Sequence, residues 1–80
     1  MKKLLKIPPL SESDESIRGS VLDIPISVGD VVNVGDTLLE IEIEKVTLEV
    51  PAEQAGTIID ISVKVGDEVS QGVPFATIEE

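Results

Sequence analysis

Residues 40–52 read EIEIEKVTLEVPA, and this stretch decides the fold of the chain. Apolar and polar residues alternate on both sides of Lys45, which is typical of strands with one buried face. On each side of Lys45 the apolar residues are two positions apart, but Ile43 and Val46 are three positions apart. In one continuous strand this spacing would move the apolar residues from the buried face to the exposed face. A two-residue turn at Glu44 and Lys45 removes this conflict. The pattern therefore predicts a hairpin with six apolar residues on one face: Leu39, Ile41, Ile43, Val46, Leu48 and Val50.

The predicted turn has an unusual composition. Two-residue hairpin turns prefer Asn-Gly or Asp-Gly, because the favoured geometries need a positive φ. For Glu44-Lys45 we expect a type I turn with slight strain. The register also places Glu40 opposite Glu49, a like-charge pair that costs about 0.3 kcal/mol. Local violations of folding preference concentrate at functional sites, which makes Lys45 the candidate functional residue rather than only a solubilising one.

The chain contains an internal repeat with an offset of 37 residues. Residues 19–42 align with residues 56–79, and 10 of the 24 pairs are identical. Each copy reads as a strand, a Val-Gly-Asp turn, a short strand, a second glycine and a strand that ends in Ile-Glu. Two copies are too few for a solenoid, so we expect two similar halves around a pseudo-two-fold axis with one shared core.

The repeat and the hairpin together predict an all-β fold. Short strands separated by turn signals, with no sustained helical period, are typical of a sandwich or small barrel. Each repeat begins with a predicted strand, Ser20–Ser27 in the first and Thr57–Lys64 in the second. Two more predicted strands, Leu4–Ile7 and Val46–Val50, lie outside the repeats. We expect one domain over residues 1–80, with repeat halves of about 1–42 and 43–80. The first half carries an inserted polar loop, Pro9–Arg18, and such loops often serve recognition.

Composition excludes several kinds of chemistry. The chain has no cysteine and no histidine, so its own side chains offer no thiol chemistry, zinc-finger site or histidine acid-base catalysis. We therefore expect no catalytic residue and no metal site. Any redox or acyl chemistry would need an attached group.

Charge limits the choice of partners. A net charge of −10 repels phosphate backbones and anionic membranes, so we expect neither nucleic-acid nor membrane binding. The charge also favours a soluble monomer. The first ten residues, MKKLLKIPPL, contain no apolar run long enough for a signal peptide, which predicts a cytoplasmic protein.

The residues around Lys45 resemble a known family. The stretch EIEIEKVTLEVPAEQAGTI is similar to the lipoyl-lysine hairpin of lipoyl domains from 2-oxo acid dehydrogenase complexes. The Val-Gly-Asp turns and the internal repeat extend the resemblance over essentially the whole chain. The segment PPLSES (8–13), or else ESIRGS (15–20), is together with KVTLEVPA most similar to the succinyltransferase branch of the dihydrolipoamide acyltransferases.

The resemblance implies a fold and a cofactor. The implied fold is a flattened β-barrel (barrel-sandwich hybrid) of two four-stranded antiparallel sheets. The implied cofactor is lipoic acid bound covalently to Lys45, with Glu44 and Val46 as residues that a ligase recognises. The related biotinyl domains carry methionine on both sides of their lysine, so Glu44 and Val46 favour lipoate.

The resemblance also implies partners for a non-catalytic carrier. These are a lipoate ligase or lipoyl transferase, a thiamine-dependent 2-oxo acid decarboxylase, the acyltransferase core and a dihydrolipoyl dehydrogenase. The Pro9–Arg18 loop is the candidate contact for the decarboxylase. The carrier raises effective concentration by tethering the acyl group. Two alternatives remain open at this point: a biotinyl carrier, and an unmodified lipoyl-like structural module.

Overall fold

The computed structural model describes residues 1–11 and 16–80, and the regular structure in them consists of strands. The strands are β1 (Lys2–Lys6), β2 (Arg18–Asp23), β3 (Val31–Val32), β4 (Thr37–Ile43), β5 (Val46–Pro51), β6 (Gly56–Ile61), β7 (Glu68–Ser70) and β8 (Pro74–Glu79). Within the described ranges, no helix is long and apolar enough to cross a membrane. The all-β prediction is confirmed.

The strands form two four-stranded antiparallel sheets with the same internal order. Sheet A has the order β1-β8-β6-β3, and sheet B has the order β5-β4-β2-β7. The 37-residue offset carries β2 to β6, β3 to β7 and β4 to β8, and β1 takes the place of β5. One sheet is therefore the pseudo-two-fold equivalent of the other, as the repeat predicts. Each half lends its short strand to the other sheet, because β3 pairs with β6 and β7 pairs with β2.

The two sheets face each other across one apolar core. Alternate residues of the strands point inward, and the side chains they bury are almost all aliphatic. The largest fully buried side chains are Phe75, Leu38, Leu39, Ile41, Ile58, Ile78 and Val21. Among the described strands, none pairs across from one sheet to the other. The two-sheet prediction is confirmed, but the barrel is not closed, because edge strands β1 and β5 pair only with β8 and β4.

The Val-Gly-Asp turns fasten each copy of the repeat to the other copy. Gly29 donates its N–H to the Ile58 carbonyl at 2.7 Å, and the Ile58 N–H donates back to the Asp30 carbonyl at 2.8 Å. The second turn makes the same two bonds, from Gly66 to Val21 and from Val21 to Asp67. Gly29 and Gly66 have φ angles of +98° and +96°, which glycine adopts without a Cβ penalty.

Two predicted strands are shorter in the structure. β2 ends at Asp23 and not at Ser27, and β6 ends at Ile61 and not at Lys64. Pro25 lacks the N–H that a ladder needs, which ends β2. Beyond β6, the Lys64 N–H donates to the Asp67 carboxylate at 2.8 Å, so the chain turns there. Strand β1 is displaced from the predicted Leu4–Ile7 to Lys2–Lys6, and Ile7 instead donates its N–H to the Val73 carbonyl at 2.9 Å.

Candidate functional site

Strands β4 and β5 form the hairpin that the sequence predicts, in the predicted register. Pairing runs without a bulge from Leu39 opposite Val50 to Ile43 opposite Val46, and it includes Glu40 opposite Glu49 and Glu42 opposite Thr47. Glu44 and Lys45 are the two turn residues. The change of phase in the apolar pattern therefore identified the turn correctly.

Burial decreases along this hairpin towards the tip. Leu39 and Ile41 are completely buried, Ile43 is half-buried, and Val46 is 66% exposed. The base of the hairpin is thus held by the core while the tip projects from sheet B. A residue at the tip therefore lies at the end of a hydrogen-bonded hairpin and not in a long loop.

The turn itself differs from the expected type I geometry. Glu44 has a φ of +55°, whereas a type I turn has a negative φ at this position. A positive φ at the first central residue is the sign found in primed turns, whose twist matches that of the flanking strands. The twist of the hairpin has overridden the preference of glutamate for negative φ. The left-handed conformation costs a non-glycine residue about 1–2 kcal/mol. The turn is therefore strained as predicted, but the strain comes from the positive φ of Glu44 and not from a type I geometry.

Lys45 is exposed at this tip, and its neighbours Glu44 and Val46 are exposed as well. Within the described part of the chain, the Lys45 side chain makes no hydrogen bond and no ion pair. An amine in this position is open to an enzyme that forms an amide bond with it. The three residues singled out from the sequence therefore lie together on one accessible feature.

A close approach of β2 supports the base of the tip. Gly19 lies against the hairpin so closely that an added Cβ would meet the Ile41 Cγ2 atom and would lie 3.1 Å from the Glu42 carbonyl oxygen and 3.2 Å from Ile43 Cγ1. The sequence marked Gly19 only as a repeat position, and it contains no signal for this contact. A side chain at residue 19 would push the hairpin away from β2.

The predicted recognition loop Pro9–Arg18 is described only in part, since residues 12–15 lie outside the described residues. Its last residue is not in a loop, because β2 begins at Arg18. The Arg18 Nη1 atom lies 2.6 Å from Glu68 Oε1, in an exposed ion pair between β2 and β7. Sequence reasoning missed this pair because the two residues are 50 positions apart and meet only through the exchange of β7.

Comparison with known proteins identifies a family and several curated relatives, of which two are described here. The family described as "Biotin-requiring enzyme" matches residues 3–78. The dihydrolipoyllysine-residue acetyltransferase component of the pyruvate dehydrogenase complex of Haemophilus influenzae is 39% identical over 79 residues, 99% of this chain and 13% of that protein. The succinyltransferase component of the 2-oxoglutarate dehydrogenase complex of Staphylococcus aureus is 40% identical over 52 residues, 65% of this chain and 12% of that protein. The chain thus spans less than one seventh of each relative.

Solved structures show the same fold. The lipoyl domain of the 2-oxoglutarate dehydrogenase complex of Azotobacter vinelandii matches with a TM-score of 0.73 and 28% identity, over 95% of this chain and 96% of that one. The urea carboxylase of Kluyveromyces lactis matches with a TM-score of 0.78 and 29% identity, over 99% of this chain but 6% of that one. The lipoyl domain therefore matches this chain over nearly the whole length of both, whereas the carboxylase matches it with a small part of a much longer chain.

Proposed function

Because the chain belongs to the biotin–lipoyl family, we propose that it is a carrier domain whose Lys45 amine holds lipoic acid in an amide bond. The observation that carries this proposal is the exposed Lys45 on a two-residue turn that projects from a buried hairpin base. Such a residue fits the group, since the amine is accessible and no described side chain occupies it.

Two further observations favour lipoate over biotin. The residues that flank Lys45 are Glu44 and Val46, whereas the resemblance drawn from the sequence gives biotinyl domains methionine on both sides. The relative that aligns with 99% of this chain is named as a dihydrolipoyllysine-residue enzyme. The biotinyl alternative has its support in the urea carboxylase structure, which shares the fold.

When bound, the lipoyl group would supply a disulfide that accepts an acyl group together with two reducing equivalents. The chain itself has no cysteine and would contribute position only. The hairpin holds the attachment point away from the core, and Glu44 fixes the direction of the turn through its left-handed backbone. Tethering of this kind raises the effective concentration of the carried group at each partner enzyme.

We propose the partners accordingly. A lipoate ligase or lipoyl transferase would modify Lys45 and recognise Glu44 and Val46. A thiamine-dependent 2-oxo acid decarboxylase, an acyltransferase core and a dihydrolipoyl dehydrogenase would then act on the attached group, with the Pro9–Arg18 segment as the decarboxylase contact. Relatives named as acetyltransferase and as succinyltransferase both match, so the proposal covers 2-oxo acid dehydrogenases as a class. The cytoplasmic location stays a prediction, to be tested by cell fractionation.

The decisive experiment is the intact mass of the protein after co-expression with a lipoate ligase. We expect a gain in mass of one lipoyl group in the unaltered chain. We expect the same gain in the control variant Lys64→Arg, which removes an exposed lysine outside the hairpin. The Lys45→Arg variant should show no gain. A mass gain that persists in the Lys45→Arg variant would show that another residue is modified. The absence of any mass gain in the unaltered chain would support the unmodified structural module instead.

A second experiment separates lipoate from biotin at the same lysine. The unaltered chain and a Glu44→Met/Val46→Met double variant are each offered to a lipoate ligase and to a biotin ligase. We expect lipoylation of the unaltered chain, and in the double variant slower lipoylation with some biotinylation. Biotinylation of the unaltered chain would contradict the lipoyl assignment.

A further inference from the structure

The tip of the β4–β5 hairpin extends beyond the ladder that joins β4 to β2. That ladder ends with Ser20 opposite Glu42, whereas the ladder between β4 and β5 continues to Ile43 opposite Val46. The Ile43–Val46 pair is followed directly by the turn that contains Lys45. The position of the turn relative to the rest of the domain therefore depends on the contact that holds Ile43 against β2.

Gly19, the residue before Ser20, provides this contact. Gly19 is buried, and side chains of the hairpin fill the space that a Cβ would take. The Ile41 Cγ2 atom would meet the added Cβ, Ile43 Cγ1 would lie 3.2 Å from it, and the Glu42 carbonyl oxygen would lie 3.1 Å from it. Ile41 is completely buried in a close-packed core, so the hairpin would have to move relative to β2.

Packing, and not backbone conformation, requires glycine at this position. The glycines with positive φ are Gly29, Gly35, Gly66 and Gly72, and Gly19 is not one of them. Alanine could therefore adopt the backbone conformation of Gly19 without the penalty of the left-handed region. A Gly19→Ala variant thus tests the contact between β2 and the hairpin by itself.

The internal repeat supplies a control for the same steric change. Gly56 is the equivalent of Gly19, and it also lacks a positive φ. A Cβ at Gly56 would lie 2.5 Å from the Glu79 carbonyl oxygen and 2.8 Å from Ile78 Cγ1. These atoms belong to β8 in sheet A, whereas the lysine hairpin belongs to sheet B. The chain therefore offers one tightly packed glycine beside the lysine hairpin and a second one in the other sheet.

We propose that Gly19 is a positioning residue for the modification of Lys45. The missing Cβ lets Ile43 pack against β2, and the Ile43–Val46 pair then holds the turn at a fixed place on the domain. In the modification, the neutral Lys45 amine attacks an activated lipoyl carbonyl that the ligase supplies. The amide C–N bond forms, the activating group leaves, and the nitrogen loses a proton. A misplacement of about 1 Å can slow a step of this kind by about 100-fold.

The inference rests on the proposed lipoyl attachment, and its test compares the ligase kinetics of three folded chains. These are the unaltered chain, Gly19→Ala and Gly56→Ala. We expect Gly19→Ala to lower the rate of lipoylation by about tenfold. The loss should fall on kcat more than on KM, because the exposed residues Glu44 and Val46 are retained. Gly56→Ala should leave both constants unchanged. Equal rates in all three chains, or equal losses in the two variants, would overturn the proposal.

Spectra of the unmodified proteins separate this inference from the carrier function. In ¹H–¹⁵N correlation spectra we expect Gly19→Ala to shift the backbone signals of residues 43–46, and Gly56→Ala to leave those signals in place. If the unaltered chain accepts no lipoyl group, the carrier function fails, and these spectra alone decide whether Gly19 sets the position of the turn. Unshifted signals at residues 43–46 in folded Gly19→Ala would contradict it.

A second pair of variants tests the contact from the side of the hairpin, in case Gly19→Ala does not fold. Ile43→Ala removes the side chain that lies against Gly19. Leu48→Ala removes another half-buried side chain of the hairpin, but from β5, which does not adjoin β2. Ile43→Ala should slow lipoylation and shift the Lys45 backbone signal more than Leu48→Ala does. Equal effects of the two substitutions would count against the positioning role.

Discussion

Met1 and Glu80 are joined by two hydrogen bonds, from the Glu80 N–H to the Met1 carbonyl at 3.0 Å and from the Met1 amino group to the Glu80 carbonyl at 3.3 Å. The β1–β8 and β5–β4 ladders correspond residue for residue. The Met1–Glu80 pair in sheet A is therefore the equivalent of the Val46–Ile43 pair, which flanks the Glu44–Lys45 turn in sheet B. The two ladders thus end in equivalent pairs, and the turn lysine lies at the end of the ladder in sheet B.

The positive φ at Glu44 predicts that glycine stabilises the turn. Glycine adopts this conformation without the Cβ penalty but loses more freedom on folding, so we expect Glu44→Gly to raise the free energy of unfolding by about 0.5 kcal/mol. Urea denaturation of the unmodified protein measures the change. Lys45→Gly is the control, because Lys45 is not among the described residues with positive φ, and it should lower the free energy of unfolding. A loss of stability in Glu44→Gly would contradict the strain assigned to this residue.

Two glycines of the repeat are required for different reasons, and asparagine distinguishes them. A Cβ at Gly56 would lie 2.5 Å from the Glu79 carbonyl oxygen, whereas at Gly66 no atom lies within 4 Å and the φ is +96°. Gly56→Ala should cost about 1–3 kcal/mol by overpacking, and Gly66→Ala about 1 kcal/mol by backbone strain. Asparagine tolerates the left-handed region, so Gly66→Asn should recover much of the loss while Gly56→Asn should not. Thermal unfolding gives the order, and equal recovery at both sites would refute this distinction.

The aspartates of the two Val-Gly-Asp turns should contribute equally to stability. The Asp30 carboxylate accepts the N–H of Ser27 at 2.8 Å, and the Asp67 carboxylate accepts the N–H of Lys64 at 2.8 Å. We expect Asp30→Ala and Asp67→Ala each to lower the free energy of unfolding by about 1 kcal/mol. Asp60→Ala is the control, since the Asp60 carboxylate makes no hydrogen bond with the described residues, and it should change stability little. Denaturation curves would contradict the equivalence of the turns if only one aspartate mattered.

The like-charge pair on the outer face of the hairpin predicts a stabilising substitution. Glu40 lies directly opposite Glu49, and Glu49→Lys would convert repulsion into attraction across the strands. The expected gain is about 0.5 kcal/mol, although the 3.5 Å contact of the Glu49 carboxylate with the Thr37 hydroxyl is lost. The gain should disappear in 1 M salt, where the screening length falls to about 3 Å. Glu53→Lys makes the same charge change without a cross-strand partner, and an equal gain there would assign the effect to net charge alone.

The sequence predicted the register of the hairpin but not the exchange of the short strands β3 and β7 between the two halves. Alternation with one change of phase identifies the pairing of Ile43 with Val46, because a one-residue slip would expose the whole apolar face. The 37-residue repeat predicts equivalent halves but not that each short strand pairs with the other half, since pairing partners distant in sequence leave no local signal. The ends of β2 and β6 were predicted too far along because Ile26 and Val63 continue the alternation after pairing has stopped.

The position of Lys45 in the turn was predicted from the sequence, but the backbone geometry of the turn was not. Lys45 was identified as the turn residue from the phase change alone, whereas the left-handed backbone of Glu44 results from hairpin twist, which has no counterpart in residue type. The open edges at β1 and β5 were not predicted, because the implied fold is a barrel and the structure does not pair these two strands. The hydrogen bond from Lys3 to Gln54 joins residues 51 positions apart, so the sequence contains no local signal for it.

The exchange of β3 and β7 between the sheets makes the domain the single-chain form of an intertwined dimer. If the bond between Glu44 and Lys45 were cut, the first fragment would hold β3 without its partner β6, and the second would hold β7 without its partner β2. Neither fragment could assemble its own sheet. The ordering of the hairpin that carries Lys45 therefore depends on the folding of both repeats, and the turn lysine is displayed only by a chain in which both repeats have folded.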